Sequence, residues 1–247
     1  MRLLLGNRAY DVTTRALVMG ILNRTPDSFF DQGAHFPMDR MLARADQLVA
    51  EGADVLDVGG VKAGPGPDVT EGEELDRVVP AIEALARRFD LPLSVDTWRA
   101  SVAEAALEAG AVVANDISGF ADPAYLPVAA RAGATVVATH IRLAPRVPDP
   151  DARYDDVVVA VCDFLVDRAR RALEAGIDGE RIVLDAGLDL GKTAEQSLTL
   201  LHASDRLASL GYPLLLSASN KTFLGRILGL EVDQRREASL AAVFEAG

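Results

Sequence analysis

The sequence predicts an α/β protein built as a TIM-type (β/α)8 barrel, and three observations carry that expectation. First, seven short apolar runs each stop on, or within a residue or two of, a side chain able to hydrogen-bond or carry charge. They are LVMGILN at Asn23, DVLDV at Asp57, LPLSVD at Asp96, AVVAND at Asn115 and Asp116, ATVVATH at His140, RIVLD at Asp185, and PLLLSASNK at Ser219 to Lys221. Second, segments of helical period separate these runs. Third, 247 residues, 49% of them hydrophobic, match the roughly 250 typical of one eight-unit barrel, so residues 1–247 read as one domain. Parallel barrel strands direct their C-terminal ends to one face, so a polar edge recurring there marks the functional face.

Along the chain, LLLG around Leu3 to Gly6 and AYDV around Ala9 to Val12 precede the first barrel strand. Within residues 1–15 they fit a hairpin plugging the barrel bottom. The strand runs are rich in Val, Leu and Ile without alternation, which indicates burial on both sides, as in a parallel sheet. From Glu71 to Phe89, Leu75, Val78, Val79, Ile82 and Leu85 recur at helical steps, and from Ala194 to Leu210 so do Leu198, Leu201 and Leu207. Gly52, Gly110, Gly133, Gly176 and Gly211 close the helical segments, where the chain often turns to positive φ and glycine has no Cβ to clash. The connection RLAPRVPDPDAR after His140 carries three prolines and three arginines and reads as a surface loop on the functional face, or as a plain solvated linker. Asp233 to Gly247 reads as one helix, after which no eighth strand follows, so the eighth β/α unit is expected to be missing. A barrel short of one strand exposes two edges open to pairing.

A formal net charge of −12 argues against general affinity for nucleic acid or an anionic membrane, both of which need a cationic surface. An anionic substrate would need a local cationic pocket. Cys162, the only cysteine, cannot form an intramolecular disulfide, which fits a reducing compartment. No apolar run approaches 18 residues and no signal-peptide pattern opens the chain, so a soluble, cytoplasmic protein is expected.

Chemistry enters with the segment MGILNRTPDSFFDQG after the first strand. It resembles the first signature of the dihydropteroate synthase family of pterin-binding TIM barrels, which join a pterin pyrophosphate to para-aminobenzoate. DVGG at Asp57 to Gly60, SVDT at Ser94 to Thr97, ND at Asn115 and Asp116, D-x-G-x-x-x-GK from Asp185 to Lys192, and S-x-K at Ser219 to Lys221 follow in the family's order and cover essentially the whole chain. The resemblance implies that Asp96, Asn115 and Asp185 bind the pterin, with Lys221 near its carbonyl. It implies that Asn23 contacts a pyrophosphate–magnesium unit, making Mg2+ the expected cofactor and Asn23 the metal-side residue. Asn23 and Lys221 would be the catalytic pair, and Pro26, Phe29, Pro65, Lys221 and Thr222 would shape the aminobenzoate site. A homodimer is the assembly it implies.

These residue types also make sense without the family. A pterin presents an aminopyrimidine edge of N–H donors beside a carbonyl acceptor, which buried carboxylates and an amide can satisfy. Each charge-assisted bond is worth roughly 1.5–3 kcal/mol in a dry pocket. Taken singly, a strand-end Asp equally fits a cap on the next helix, and Phe29 and Phe30 fit ordinary packing on the barrel rim. His140 fits a hydrogen-bonded rim histidine.

The pattern also breaks. Where active synthases read GGESTRPG, this chain reads Gly59-Gly60-Val61-Lys62-Ala63-Gly64-Pro65-Gly66, and where they read Ser-Arg-Lys it has Ser219-Asn220-Lys221. The family's Arg-x-His pair on the eighth strand has no counterpart. Each removed transition-state donor costs roughly 2.7–4 kcal/mol, so losing two or three reduces turnover by orders of magnitude. Lys62 is a candidate replacement at the pyrophosphate, or a solvated surface lysine. VKAGPG and SNK most resemble divergent second copies that some bacteria carry beside a working synthase. Two readings follow: a dihydropteroate synthase-like transferase of folate biosynthesis, or a catalytically impaired pterin-binding homologue. A methyltetrahydrofolate-dependent methyltransferase fits poorly with the TPDSF loop.

Overall fold

Residues 1–24 and 38–246 are described by a computed structural model, and the architecture follows the expected alternation. A short hairpin, β1 (Arg2–Leu5) and β2 (Arg8–Asp11), precedes β3 (Met19–Asn23), α1 (Met38–Ala50), β4 (Val55–Gly59), α2 (Glu71–Arg88), β5 (Leu93–Asp96) and α3 (Ala100–Glu108). Then come β6 (Val113–Asp116), α4 (Tyr125–Arg131), β7 (Thr135–Thr139), α5 (Val157–Glu174), β8 (Ile182–Asp185), α6 (Ala194–His202), α7 (Ser204–Ala208), α8 (Thr222–Leu228) and α9 (Arg236–Ala246). Strands β3 to β8 form one six-stranded parallel sheet in sequential order, the arc of a TIM-type barrel with its helices outside.

Side-chain alternation along each strand divides the interior. Leu56, Val58 and Val95 face outward and pack with Val78, Ile82 and Leu85 of α2. Ala114, Val136, Ala138 and Leu184 do the same against Val161 and Leu165 of α5 and Leu200 of α6. The opposite set, Val55, Val113, Val137 and Val183, meets Leu3 and Leu5 of the hairpin, which therefore stops the N-terminal mouth with apolar side chains. Polar inward-facing residues are left for the other mouth.

Three expected elements differ. The PLLLSASNK run makes only an isolated bridge, Leu214 beside Leu184, held by Leu184 N–H to Pro213 O at 2.9 Å and Leu215 N–H to Leu184 O at 2.8 Å. Among the described residues no strand pairs with its other side, so its backbone has one neighbour to regularise it, and none forms an eighth barrel strand. The C-terminal helix starts at Arg236 rather than Asp233, after a 3-10 turn over Val232–Gln234, and α8 precedes it, ended by Gly229 at φ 65°. The single helix expected from Ala194 to Leu210 is two, because the Ser204 hydroxyl donates back to the Leu201 carbonyl at the break. Among the described residues no helix is long and apolar enough to cross a membrane.

Candidate active site

Strand register places the site. Asn23 pairs with Gly59, Gly59 with Asp96 and Asp96 with Asn115, so four successive strand ends present one row at the C-terminal mouth. Gly59 leaves a gap in that row: a Cβ built on it would stand 3.3 Å from Asp96 Oδ2 and 3.4 Å from Asn23 Oδ1. One level deeper Asp57 lies beside Ser94, and the Asn115 Nδ2 reaches both Asp57 oxygens at 3.5 Å. Asp57 and Asn115 are buried, Asp96 is half-buried and Asn23 is exposed at the rim. The register thus brings Asn23, Asp96 and Asn115 into one row.

Asp185, at the end of β8, is buried, and its Oδ1 accepts the Gly187 N–H at 2.7 Å. Half-buried Lys221, just before α8, favours the charged forms of both Asp96 and Asp185. Burial pushes all three acids upward: Asp96 well above the ordinary carboxylate range, where Asp57, Glu74 and Asp116 add repulsion, and Asp57 and Asp185 more modestly. Grouped acids whose protons are held this tightly are a donor–acceptor surface for a polar heterocycle.

Asp116 does not join them. It faces outward, its two oxygens accept the N–H groups of Ser118 (2.6 Å) and Phe120 (2.9 Å), and burial raises it to about 6. It closes the turn after β6 and does not cap the next helix, whose N-cap residue Ala124 makes no side-chain cap bond.

The second loop, residues 60–70, is shaped by arginines outside it. Arg77 donates to Gly60 O at 2.9 Å and Arg99 to Val69 O at 2.8 Å. Arg146, from the proline-rich loop after β7, donates its N–H to Ala63 O at 3.1 Å and its guanidinium to Gly66 O and to Pro67 O, the latter at 2.6 Å. Lys62 and Pro65 are exposed on this loop. On the α8 side, Asp189 caps the helix by accepting from the N–H of Thr222 and that of Phe223, so the Thr222 amide is already engaged. Pro26 and Phe29 lie outside the described residues.

Two participants escaped the sequence reading of the site. Asp57 was visible as a strand-end acid in DVGG, and its inward parity, two residues after Val55, was the signal that it belongs with Asp96. Lys192, part of the D-x-G-x-x-x-GK run, is buried, with Nζ 2.8 Å from His140 Nδ1. No local signal joins residues 52 apart.

An α/β barrel whose mouth carries acids, an amide and a lysine is built to hold a polar heterocycle. The chain belongs to the pterin-binding enzyme family, whose sequence profile matches residues 19–247. The inactive dihydropteroate synthase 2 of Mycobacterium leprae is 46% identical over 234 residues, 92% of this chain and 80% of the relative. The dihydropteroate synthase of Bacillus subtilis is 39% identical over 231 residues, covering 93% and 79%. The Xanthomonas albilineans dihydropteroate synthase structure in complex with 7,8-dihydropteroate superposes with a TM-score of 0.88 at 40% identity, covering 100% of this chain and 88% of that one.

Proposed function

We propose that this chain is a dihydropteroate synthase-like transferase, condensing hydroxymethyl-dihydropterin pyrophosphate with para-aminobenzoate in folate biosynthesis. The observation that carries the reading is the row Asn23, Asp96, Asn115 with Asp185 and Lys221 around one mouth. In this reading Asp96, Asn115 and Asp185 hold the pterin edge, Lys221 meets its carbonyl, and Pro26, Phe29, Pro65 and Thr222 border the aminobenzoate. Holding both reactants in line assists the reaction alongside stabilisation of the leaving anion.

Magnesium fits the donors at hand. Asn23 Oδ1 and Asp96 Oδ2 are hard oxygens flanking the gap over Gly59. Oxygen donors suit Mg2+, which keeps waters and substrate phosphates. When bound with the pyrophosphate, it would neutralise the leaving group's charge. Asn23, and Lys62 from the second loop, are the residues placed toward that unit in this reading.

A second reading, a pterin-binding homologue with impaired turnover, is favoured by Ala63, Gly64 and Asn220 and by the similarity to a relative named inactive. Calorimetric titration separates the two. A working synthase gains at least about a hundredfold in pterin affinity, about 2.7 kcal/mol, from the pyrophosphate with Mg2+; a binding-only protein gains little. Asp185→Ala should abolish pterin binding in either case, and retained binding would overturn the site. We also assign a cytoplasmic homodimer, to be checked by light scattering of the purified chain.

A further inference from the structure

Lys192 closes the D-x-G-x-x-x-GK run but takes no part in the proposed chemistry. Its ammonium has three protons, and three good acceptors surround it: Gly187 O at 2.8 Å, Leu190 O at 3.0 Å and His140 Nδ1 at 2.8 Å, with His140 O further off at 3.3 Å. With Lys192 charged, Nδ1 accepts and His140 is the neutral Nε2–H tautomer, its ring edge-on to Phe164 at 4.8 Å. Gly187 is the hub of the arrangement. It has φ 64°, a Cβ there would collide with the His140 carbonyl oxygen, its carbonyl accepts from Lys192, and its N–H is the one bonded to Asp185.

We propose that Lys192 is a positioning residue for Asp185: its buried Nζ knots the end of β7 to the loop after β8 and, through Gly187, holds the Asp185 carboxyl group in place for the pterin. This rests on the pterin reading of Asp185. The charges facing the pair are few. Lys221 acts on both Asp185 and Lys192, Asp189 acts on Lys192, and His140 is its neutral partner. Arg142 and Asp149, packed at Gly191, pair with one another, and the Tyr154 hydroxyl donates to Gly191 O at 2.7 Å. Burial raises Asp185, and the Gly187 N–H, Lys221 and, least, Lys192 oppose the rise; burial lowers Lys192 to about 7 while Asp185 opposes the fall. The coupling is therefore mutual, and either partner's removal must move the other's titration.

The test is site-resolved NMR of the intact protein. In Lys192→Met, the carboxyl 13C titration midpoint of Asp185 should rise by about one pH unit or more, with pterin affinity falling about tenfold near neutral pH. An unchanged midpoint in a folded variant overturns the proposal, since a merely structural lysine lowers the melting temperature without moving Asp185. Should Lys192→Met not fold, Asp185→Asn keeps an acceptor for the Gly187 N–H, and there the Lys192 15Nζ midpoint should drop by a similar amount. A constant Lys192 midpoint would be equally fatal. If the wild-type protein binds no pterin, the functional reading fails, while these midpoints still decide the coupling.

Discussion

Gly64 stands where active synthases carry an arginine, and the space around it is open: nothing lies within 4 Å of a Cβ built there, and its φ is outside the glycine-favouring region. Gly64→Arg should therefore be accepted by the fold and raise affinity for the pterin pyrophosphate about tenfold or more, because a bidentate guanidinium supplies both geometry and charge. Titration with and without the pyrophosphate checks this, and equal affinities in variant and parent would remove the loop argument. At this scale Asn23, Asp96, Asn115 and Asp185 were legible because each ends an apolar run, which fixes both its height and its face. Asp116 ends one too, yet its parity sends it outward to the N–H groups of Ser118 and Phe120. Asp57 was passed over although its parity is inward. The Lys192–His140 contact joins two loops and has no trace in either one's local pattern.

At the scale of elements, α2 illustrates how a helix start serves the site. Thr70 accepts the Glu73 N–H at 3.3 Å, and Glu73 accepts the Thr70 N–H at 2.8 Å, a reciprocal capping box that anchors the end of the second loop. Buried Glu74, one residue on, accepts the Thr97 hydroxyl at 2.6 Å and pairs with Arg99, tying the loop to the end of β5. Thr70→Ala should cost about 1 kcal/mol. For a chain of this size that is a drop of about 2–4 °C in Tm, measurable by circular dichroism; no change would mean that the box is idle. The glycines that close helices were legible as punctuation, and Gly52, Gly110, Gly133, Gly176 and Gly211 all take positive φ. The break between α6 and α7 was not, because Leu198, Leu201 and Leu207 keep helical spacing straight through it. What interrupts it is one hydroxyl competing for a carbonyl.

For the whole molecule, the hairpin decides which mouth is available. Leu3 and Leu5 fill the N-terminal end against Val55, Val113, Val137 and Val183, leaving the opposite mouth for the acids. Leu5 is 4% exposed, so Leu5→Ala should cost about 2–5 kcal/mol and lower the urea midpoint, while pterin affinity stays unchanged at the far end. A loss of affinity equal to the loss of stability would show that the two ends are not independent. The sequence by itself determined the order of strands and helices, the polar strand ends and the family resemblance, because periodicity and motif spacing are properties of neighbouring residues. The tertiary structure decided the rest: the reduction of the seventh strand to one bridge, the grip of Arg146 on the second loop and the knot at Lys192. Each depends on which segments come to lie side by side when the sheet curls, and hydrogen bonds between residues 52 or 80 positions apart are set by that closure rather than by any local pattern.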